Sequence, residues 1–100
     1  MAEISNDKKV LKVALIGIGG MGGGHYNAYK NITGAKLVAV CDIRKEVAEE
    51  KTHEDIKSGA DIKIYTDYKK MIESETLDMV DIVTPSYLHA EIAEYCLDKG

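Results

Sequence analysis

No apolar run in this sequence approaches the ~18 residues of a membrane-spanning helix, so nothing in it reads as a transmembrane segment. Cysteine is scarce: Cys41 and Cys96 stand 55 residues apart in apolar runs. That spacing makes no zinc knuckle, redox pair or disulfide framework, and both read as buried thiols in a reducing compartment. Basic residues do not dominate, with 13 Lys and Arg against 17 Asp and Glu for a formal charge of -4. This balance excludes broad electrostatic binding of nucleic acid or anionic membrane, although backbone N–H groups can still hold a small anion. Residues 1–10 (MAEISNDKKV) carry Glu and Asp before any apolar run and lack a small-residue cleavage region, so they do not read as a signal peptide. Cytoplasm is the default expectation. Internal repeats, low-complexity tracts and linkers are also missing.

What is present suits a soluble α/β domain: 45% hydrophobic and 30% charged residues, with nine Gly and one Pro. A length of 100 residues accommodates one small domain and is short for most complete cofactor enzymes. After a polar tail over residues 1–10, residues 11–17 (LKVALIG) form a β-branched and aliphatic run ended by glycine, the pattern of a strand buried on both faces. Met21, Gly24, His25, Ala28 and Ile32 then recur at helical spacing, predicting a helix with that face inward and a stop near Thr33-Gly34. A second strand is expected over residues 36–41 (KLVAVC), followed by a helix over residues 44–56 that buries Val47, Ala48 and Ile56. Ser58-Gly59 breaks that helix.

Residues 62–65 (IKIY) predict a third strand, and Thr66 or Asp67 can cap a helix whose apolar side is Tyr68, Met71 and Ile72. Residues 77–83 (LDMVDIV) predict a fourth strand, with a last helix over residues 87–99 turning Leu88, Ile92 and Cys96 to one side. Strand and helix alternate four times without a hairpin signal. Right-handed crossovers then dictate a Rossmann-type, doubly wound parallel sheet in the spatial order 3-2-1-4. The fourth strand is apolar and would form an edge, so residues 11–100 are expected to be the front part of a dinucleotide-binding domain, with a fifth strand after Gly100.

The sharpest local feature is Gly17-Ile18-Gly19-Gly20-Met21-Gly22, a G-x-G-x-x-G string that is weak evidence alone. Its context strengthens it, because it follows a buried strand and opens a helix. There Gly17 permits the tight turn, Gly19 lets the backbone approach a pyrophosphate, and Gly22 permits close helix–strand packing. The unpaired N–H groups of the helix start then face the phosphates. Asp42 lies 20 residues after Gly22 at the tip of the second strand, where a carboxylate can accept both ribose hydroxyls of an adenosine. A role as helix N-cap is compatible with this. The carboxylate repels a 2′-phosphate and favours NAD, while Arg44 two residues on keeps NADP open.

The third element is the turn Thr84-Pro85-Ser86-Tyr87-Leu88-His89 after the fourth strand, across the topological switch point from the first. Pro85 stiffens it, Ser86 can cap the next helix, and His89 falls in that helix's first turn, where the helix field favours a neutral imidazole. His25 reads first as a buried imidazole on the apolar face of the first helix, and His53 as solvent-facing. Tyr26 and Tyr29 read as packing residues, and Glu46, Glu49 and Glu50 as a solvated helix face. The histidines lack an i, i+4 partner and nearby cysteine, so no metal site is expected.

Taken together, LKVALIGIGGMGGGHYNAY, KLVAVCDIR, IKIYTDYKKMI and LDMVDIVTPSYLHAEIAEYCLDKG resemble the N-terminal domain of the glucose–fructose oxidoreductase, inositol dehydrogenase and rhizopine-catabolism family (Gfo/Idh/MocA). The resemblance implies an NAD(P)-dependent oxidoreductase acting on a secondary alcohol or ketone of a sugar, cyclitol or related polyol. It implies a second, sheet-based substrate domain and dimers or tetramers. It assigns Gly17, Gly19 and Gly22 to the pyrophosphate loop, Asp42 to the adenosine ribose, and Thr84, Pro85 and His89 to the turn beside the nicotinamide. Ser86 stands where many members have asparagine. The family's catalytic lysine, aspartate and histidine would fall after residue 100, so no catalytic residue is expected here. A non-catalytic dinucleotide sensor keeps the same loop and lacks those later residues. A methyltransferase using S-adenosylmethionine shares the glycine turn and the acid but has no use for the proline turn and His89.

Overall fold

The computed structural model describes residues 10–84 and 86–99. Strands and helices alternate as β1 (Leu11–Ile16), α1 (Met21–Tyr29), β2 (Ala35–Cys41), α2 (Lys45–Lys57), β3 (Lys63–Tyr65), α3 (Tyr68–Ser74), β4 (Met79–Ile82) and α4 (Ser86–Lys99). All pairings are parallel and the sheet order is β3-β2-β1-β4, as the alternation dictates. The N-terminal tail and Pro85 lie outside the described residues. Among those described, β4 pairs on one side only, and no helix is long and apolar enough to cross a membrane.

Strand alternation explains the two cores. Val13 and Leu15 of β1 point into one layer with Ile18, Tyr26, Leu37, Val40 and Ala48. Ala14 and Ile16 point into the other with Ala39, Cys41, Met71 and Ile92. Burying β1 on both faces is what its uninterrupted apolar run requires. The β1–β2 register slips by one residue, since Val13 pairs with Leu37 but Ala14 pairs with Ala39. Val38 is therefore the extra residue of a bulge, and Val38 and Ala39 both face the second core. The bulge reverses the alternation of the strand's second half and sends Val40 back to the first core, the same layer as Leu37.

The first helix corrects the expected facing. Its buried residues are Gly22, Gly23 and Tyr26, whereas Met21 is 78% exposed, Ile32 is 47% exposed, and Gly24, His25 and Ala28 are exposed. Apolar periodicity ranks side chains, but here the helix approaches the sheet on the side that has none. A Cβ on Gly22 would stand 1.9 Å from the Gly17 carbonyl oxygen, so only glycine fits at that contact. The helix also ends earlier than expected, at Tyr29. Turns from Lys30, Asn31 and Ile32 N–H groups to the Asn27, Ala28 and Tyr29 carbonyls then carry the chain toward β2.

The other helices follow the sequence more closely. In α2, Ala48 is buried and Val47 partly so, but the third inward place belongs to Thr52, while Ile56 is 38% exposed. The Thr52 hydroxyl meets its burial cost by donating to the Ala48 carbonyl at 2.8 Å. Asp67 caps α3 through a 2.9 Å bond from the Lys69 N–H. In α4, Ile92 is buried and Leu88 and Cys96 pack beside it as expected, with Cys96 only partly buried.

The contrast between glycines of α1 makes a sharp test. Gly22→Ala should destabilise the protein by about 1–3 kcal/mol or more through overpacking against backbone. Gly24→Ala, where an added Cβ meets nothing within 4 Å, should stabilise it by about 0.5–1 kcal/mol through helix propensity. Denaturant unfolding of both variants reads the signs, and equal effects would contradict this facing of α1.

Candidate functional site

The site forms where β1 and β2 end beside the start of α1. Gly17 leaves β1 with φ of +89° and its N–H donates to the Cys41 carbonyl at 2.8 Å. A Cβ there would lie 2.1 Å from the Val83 oxygen, so the turn threads between the ends of β2 and β4. Ile18 is fully buried in the first core, and its N–H turns toward Asp42. The site thus uses the backbone of Ile18 while its side chain serves packing. Gly20 caps the exposed start of α1, and Met21 begins the helix. Among the described residues, the N–H groups of Gly19, Gly20 and Met21 hold no hydrogen bond, leaving donors at the positive end of the helix.

Asp42 follows β2 and is only 7% exposed. It is not the cap of α2, a place taken by Arg44. Its Oδ2 accepts from the Ile18 N–H at 3.2 Å, and its Oδ1 from the Arg44 N–H at 2.9 Å and Nε at 3.2 Å. Burial is the largest influence on this carboxyl and pushes its pKa up. The bonds from Arg44 and Ile18, with the guanidinium charge, outweigh burial and hold it below the ordinary aspartate value. Asp42 is therefore an anion at neutral pH. Cys41 beside it is the reverse case: burial first, then the charges of Asp42 and Asp67, push its thiol up to about 12. It stays protonated and offers no thiolate.

A cavity of about 370 Å³ joins these parts. Gly17, Gly19, Asp42, Arg44 and Thr84 line it, so the structure brings together both ends of the expected site. Gly22, Ile18, Gly20, Met21 and His89 do not line it. His89 lies exposed in the first turn of α4, and Ser86 is the first residue of that helix. Ile43, Thr66 and Tyr68 complete the wall near Asp42, and Val83 and Leu88 the wall near Thr84. Sequence reasoning missed these. Ile43 carried a signal, an isoleucine between Asp42 and Arg44 at a strand tip, and it is 82% exposed beside the cavity. Tyr68 and Leu88 carried none, since their helical spacing had already explained them as packing residues.

His25 corrects another expectation. It is exposed, and its Nδ1 lies 2.8 Å from Asp81 Oδ2, to which the Tyr29 hydroxyl also donates at 2.9 Å. This cluster spans α1 and β4 outside the cavity. Tyr26 packs in the first core and donates to Asp55. Among the described residues no group of His, Cys, Asp and Glu is arranged to hold a metal ion.

The donor set fits a dinucleotide. The buried Thr84 Oγ1 has no hydrogen-bond partner among the described residues and belongs to the cavity wall. An orphaned buried hydroxyl is costly unless a ligand satisfies it. The Gly17–Gly22 backbone leaves room for a close approach, and an anionic acceptor stands at the far wall.

Comparison with known proteins agrees with this geometry. Residues 11–100 match the family described as "Oxidoreductase family, NAD-binding Rossmann fold". The chain is 34% identical over 96 residues to an inositol 2-dehydrogenase of Rubrobacter xylanophilus, covering 91% of this chain and 25% of that protein. It is 30% identical over 97 residues to a glycosyl hydrolase family 109 protein of Porphyromonas gingivalis, covering 92% of this chain and 21% of that one. The myo-inositol 2-dehydrogenase structure from Lactobacillus plantarum superposes with a TM-score of 0.79 at 35% identity, covering 90% of this chain and 26% of that chain. This chain thus spans about a quarter of the length of such relatives. The match over nearly all of its length places the chain in the Gfo/Idh/MocA oxidoreductase family, with its NAD-binding Rossmann fold.

Proposed function

We propose that this domain holds NAD for an oxidoreductase that moves a hydride between the nicotinamide and a secondary alcohol or ketone of a sugar, cyclitol or related polyol. The observation that carries the reading is the ionised, buried Asp42 carboxylate hydrogen-bonded to the turn that opens α1, with the Thr84 hydroxyl, unpartnered among the described residues, in the wall of the same cavity. When bound, the nicotinamide supplies the hydride acceptor or donor. This chain's residues bind and orient: the α1 start faces the phosphates, Asp42 accepts from the ribose, and Thr84 anchors the far end. The roles assigned to this chain are to hold and orient the cofactor; a non-catalytic sensor shares them and differs in lacking a proton acceptor for the alcohol. Membership of an oxidoreductase family leaves the methyltransferase alternative without support.

The substrate class rests on relatives named inositol 2-dehydrogenase and D-apiose dehydrogenase. The glycosyl hydrolase family 109 relatives favour a second reading, glycoside cleavage. Incubating the full-length protein with NAD and a panel of inositols, aldoses and aryl glycosides decides between them. Growth of reduced-nicotinamide absorbance with a free polyol supports the first, and release of the aglycone without net reduction supports the second.

Two substitutions test the binding site. Asp42→Ala removes a charged acceptor and should weaken NAD binding about 10- to 150-fold, the equivalent of about 1.5–3 kcal/mol. Asp42→Asn keeps an acceptor for the Ile18 N–H and separates lost binding from lost fold. Gly19→Val places a side chain where the dinucleotide approaches. The nearest atom to its Cβ is the flexible Arg44 Nη2 at 2.7 Å, so the fold should survive while NAD affinity falls at least tenfold. Calorimetric titration reads affinity and circular dichroism reads the fold; unchanged affinity in both variants would reduce the turn to a packing device.

A further inference from the structure

The first helix meets the sheet through glycine, and glycine brings no side chain to stop α1 rolling or sliding. Its buried residues are Gly22, Gly23 and Tyr26. Two carboxylates hold it instead, one on each flank. On the α2 side, Asp55 accepts from the Tyr26 hydroxyl and pairs with Lys30 Nζ at 3.1 Å. On the β4 side, Asp81 Oδ2 accepts from the Tyr29 hydroxyl at 2.9 Å and lies 2.8 Å from His25 Nδ1. A carboxylate only accepts, which makes the Nδ1–H the donor. Among the described residues these two hydrogen bonds are the only ones that join α1 to β4. The same strand also touches the turn. Asp81 pairs with Leu15 in the sheet, and two residues on the Val83 carbonyl oxygen lies 2.1 Å from where a Cβ on Gly17 would stand. The chain next to β4 is thus held at Gly17 by close packing and at His25 and Tyr29 by Asp81. The Gly19, Gly20 and Met21 N–H groups, unpaired among the described residues, lie between those two holds.

We propose that Asp81 is a positioning residue for the cofactor: by bracing His25 and Tyr29 it sets the roll of α1 and so aims the N–H groups at the helix start toward the pyrophosphate. The inference rests on the NAD-site reading above. Asp81 does not line the cavity of Gly17 and Asp42, so it acts through the helix. A helix that rolls misaligns its first donors, and hydrogen bonds weaken steeply as they leave the line. The ligand then binds only the fraction of molecules whose helix is in place, and its apparent affinity falls by that fraction. Burial and the bond to Asp81 push the Tyr29 hydroxyl up to about 12, so it remains a donor at neutral pH. The side chains of His25 and Asp81 are 45% and 20% exposed, which limits the brace to the modest effect of a partly solvated hydrogen bond. Charge alone predicts the opposite sign. A carboxylate near a phosphate site repels an anionic ligand, so deleting it would tighten binding if Asp81 acted only through its field.

The test titrates NAD, ADP and adenosine into nucleotide-free, full-length protein as wild type, Asp81→Ala, Asp81→Asn and Tyr29→Phe, with adenosine followed by ligand-observed NMR. Asp81→Ala should weaken NAD and ADP about three- to tenfold, the range of a net hydrogen bond. Adenosine has no phosphate for the helix start to meet, and its affinity should be unchanged. Asp81→Asn keeps an acceptor while removing the charge, so it should recover part of the loss. Tyr29→Phe removes one donor of the brace and should give a smaller loss of the same kind; it carries the test if circular dichroism shows that Asp81→Ala does not fold. Tighter NAD binding in either Asp81 variant would mean that the carboxylate acts through its charge, and would overturn the brace. Equal weakening of all three ligands would reduce Asp81 to a fold-stabilising group, and unchanged NAD and ADP binding would mean that α1 is held without it. Both results overturn the proposal and leave the NAD-site reading standing. Failure of the wild type to bind NAD and ADP would overturn that reading and the brace together.

Discussion

The contact between Gly22 and the Gly17 carbonyl constrains the rest of this domain. A methyl group at Gly22 would sit 1.9 Å from that oxygen, so α1 can lie this close to the end of β1 only because the position carries no side chain. From that approach the helix facing follows. Gly22 and Gly23 meet the turn, Tyr26 one turn on enters the first core, and the apolar residues at Met21 and Ala28 are left outside. Among the described residues it also leaves the Gly19, Gly20 and Met21 N–H groups unpaired at the start of α1.

Asp42 is the second fixed point, and it ties separate parts of the chain together. Through the Ile18 N–H it joins the end of β2 to the turn after β1, and through Arg44 it joins that turn to the start of α2. A buried carboxylate stays ionised only where several donors compensate its lost hydration. One of those donors, the Ile18 N–H, comes from the same turn whose glycines leave space for a ligand, and the others belong to Arg44. An anion held by the protein at the end of a sheet, next to free N–H donors, is chemically suited to a molecule with hydroxyls at one point and phosphates at the next.

The Val38 bulge decides how β2 delivers this acid. Leu37 and Val40 both face the first core although an uninterrupted strand would put them on opposite faces. The extra residue absorbs the mismatch, and the strand still ends with Cys41 inside the second core and Asp42 beside Ile18. Nothing in the run AKLVAVC marks the bulge, because Leu37, Val38, Ala39 and Val40 are all apolar and suit either face.

Alternation of apolar runs with helical patterns was enough, without coordinates, to set the element types, the parallel sheet and its 3-2-1-4 order, because chain connectivity and crossover handedness leave few other arrangements. The glycine turn and Asp42 were legible for the same local reason: each occupies a strand end, where backbone geometry and charge are read directly from residue type. The facing of α1, the bulge, the solvent-side pairing of His25 with Asp81 and the clasp of Arg44 on Asp42 were decided only by tertiary structure. Each depends on contacts between distant segments or on a side chain's choice among partners. Periodicity counts apolar side chains, and it cannot register a contact made by glycine, which has none, or the direction a long, charged side chain takes once a buried anion lies within reach.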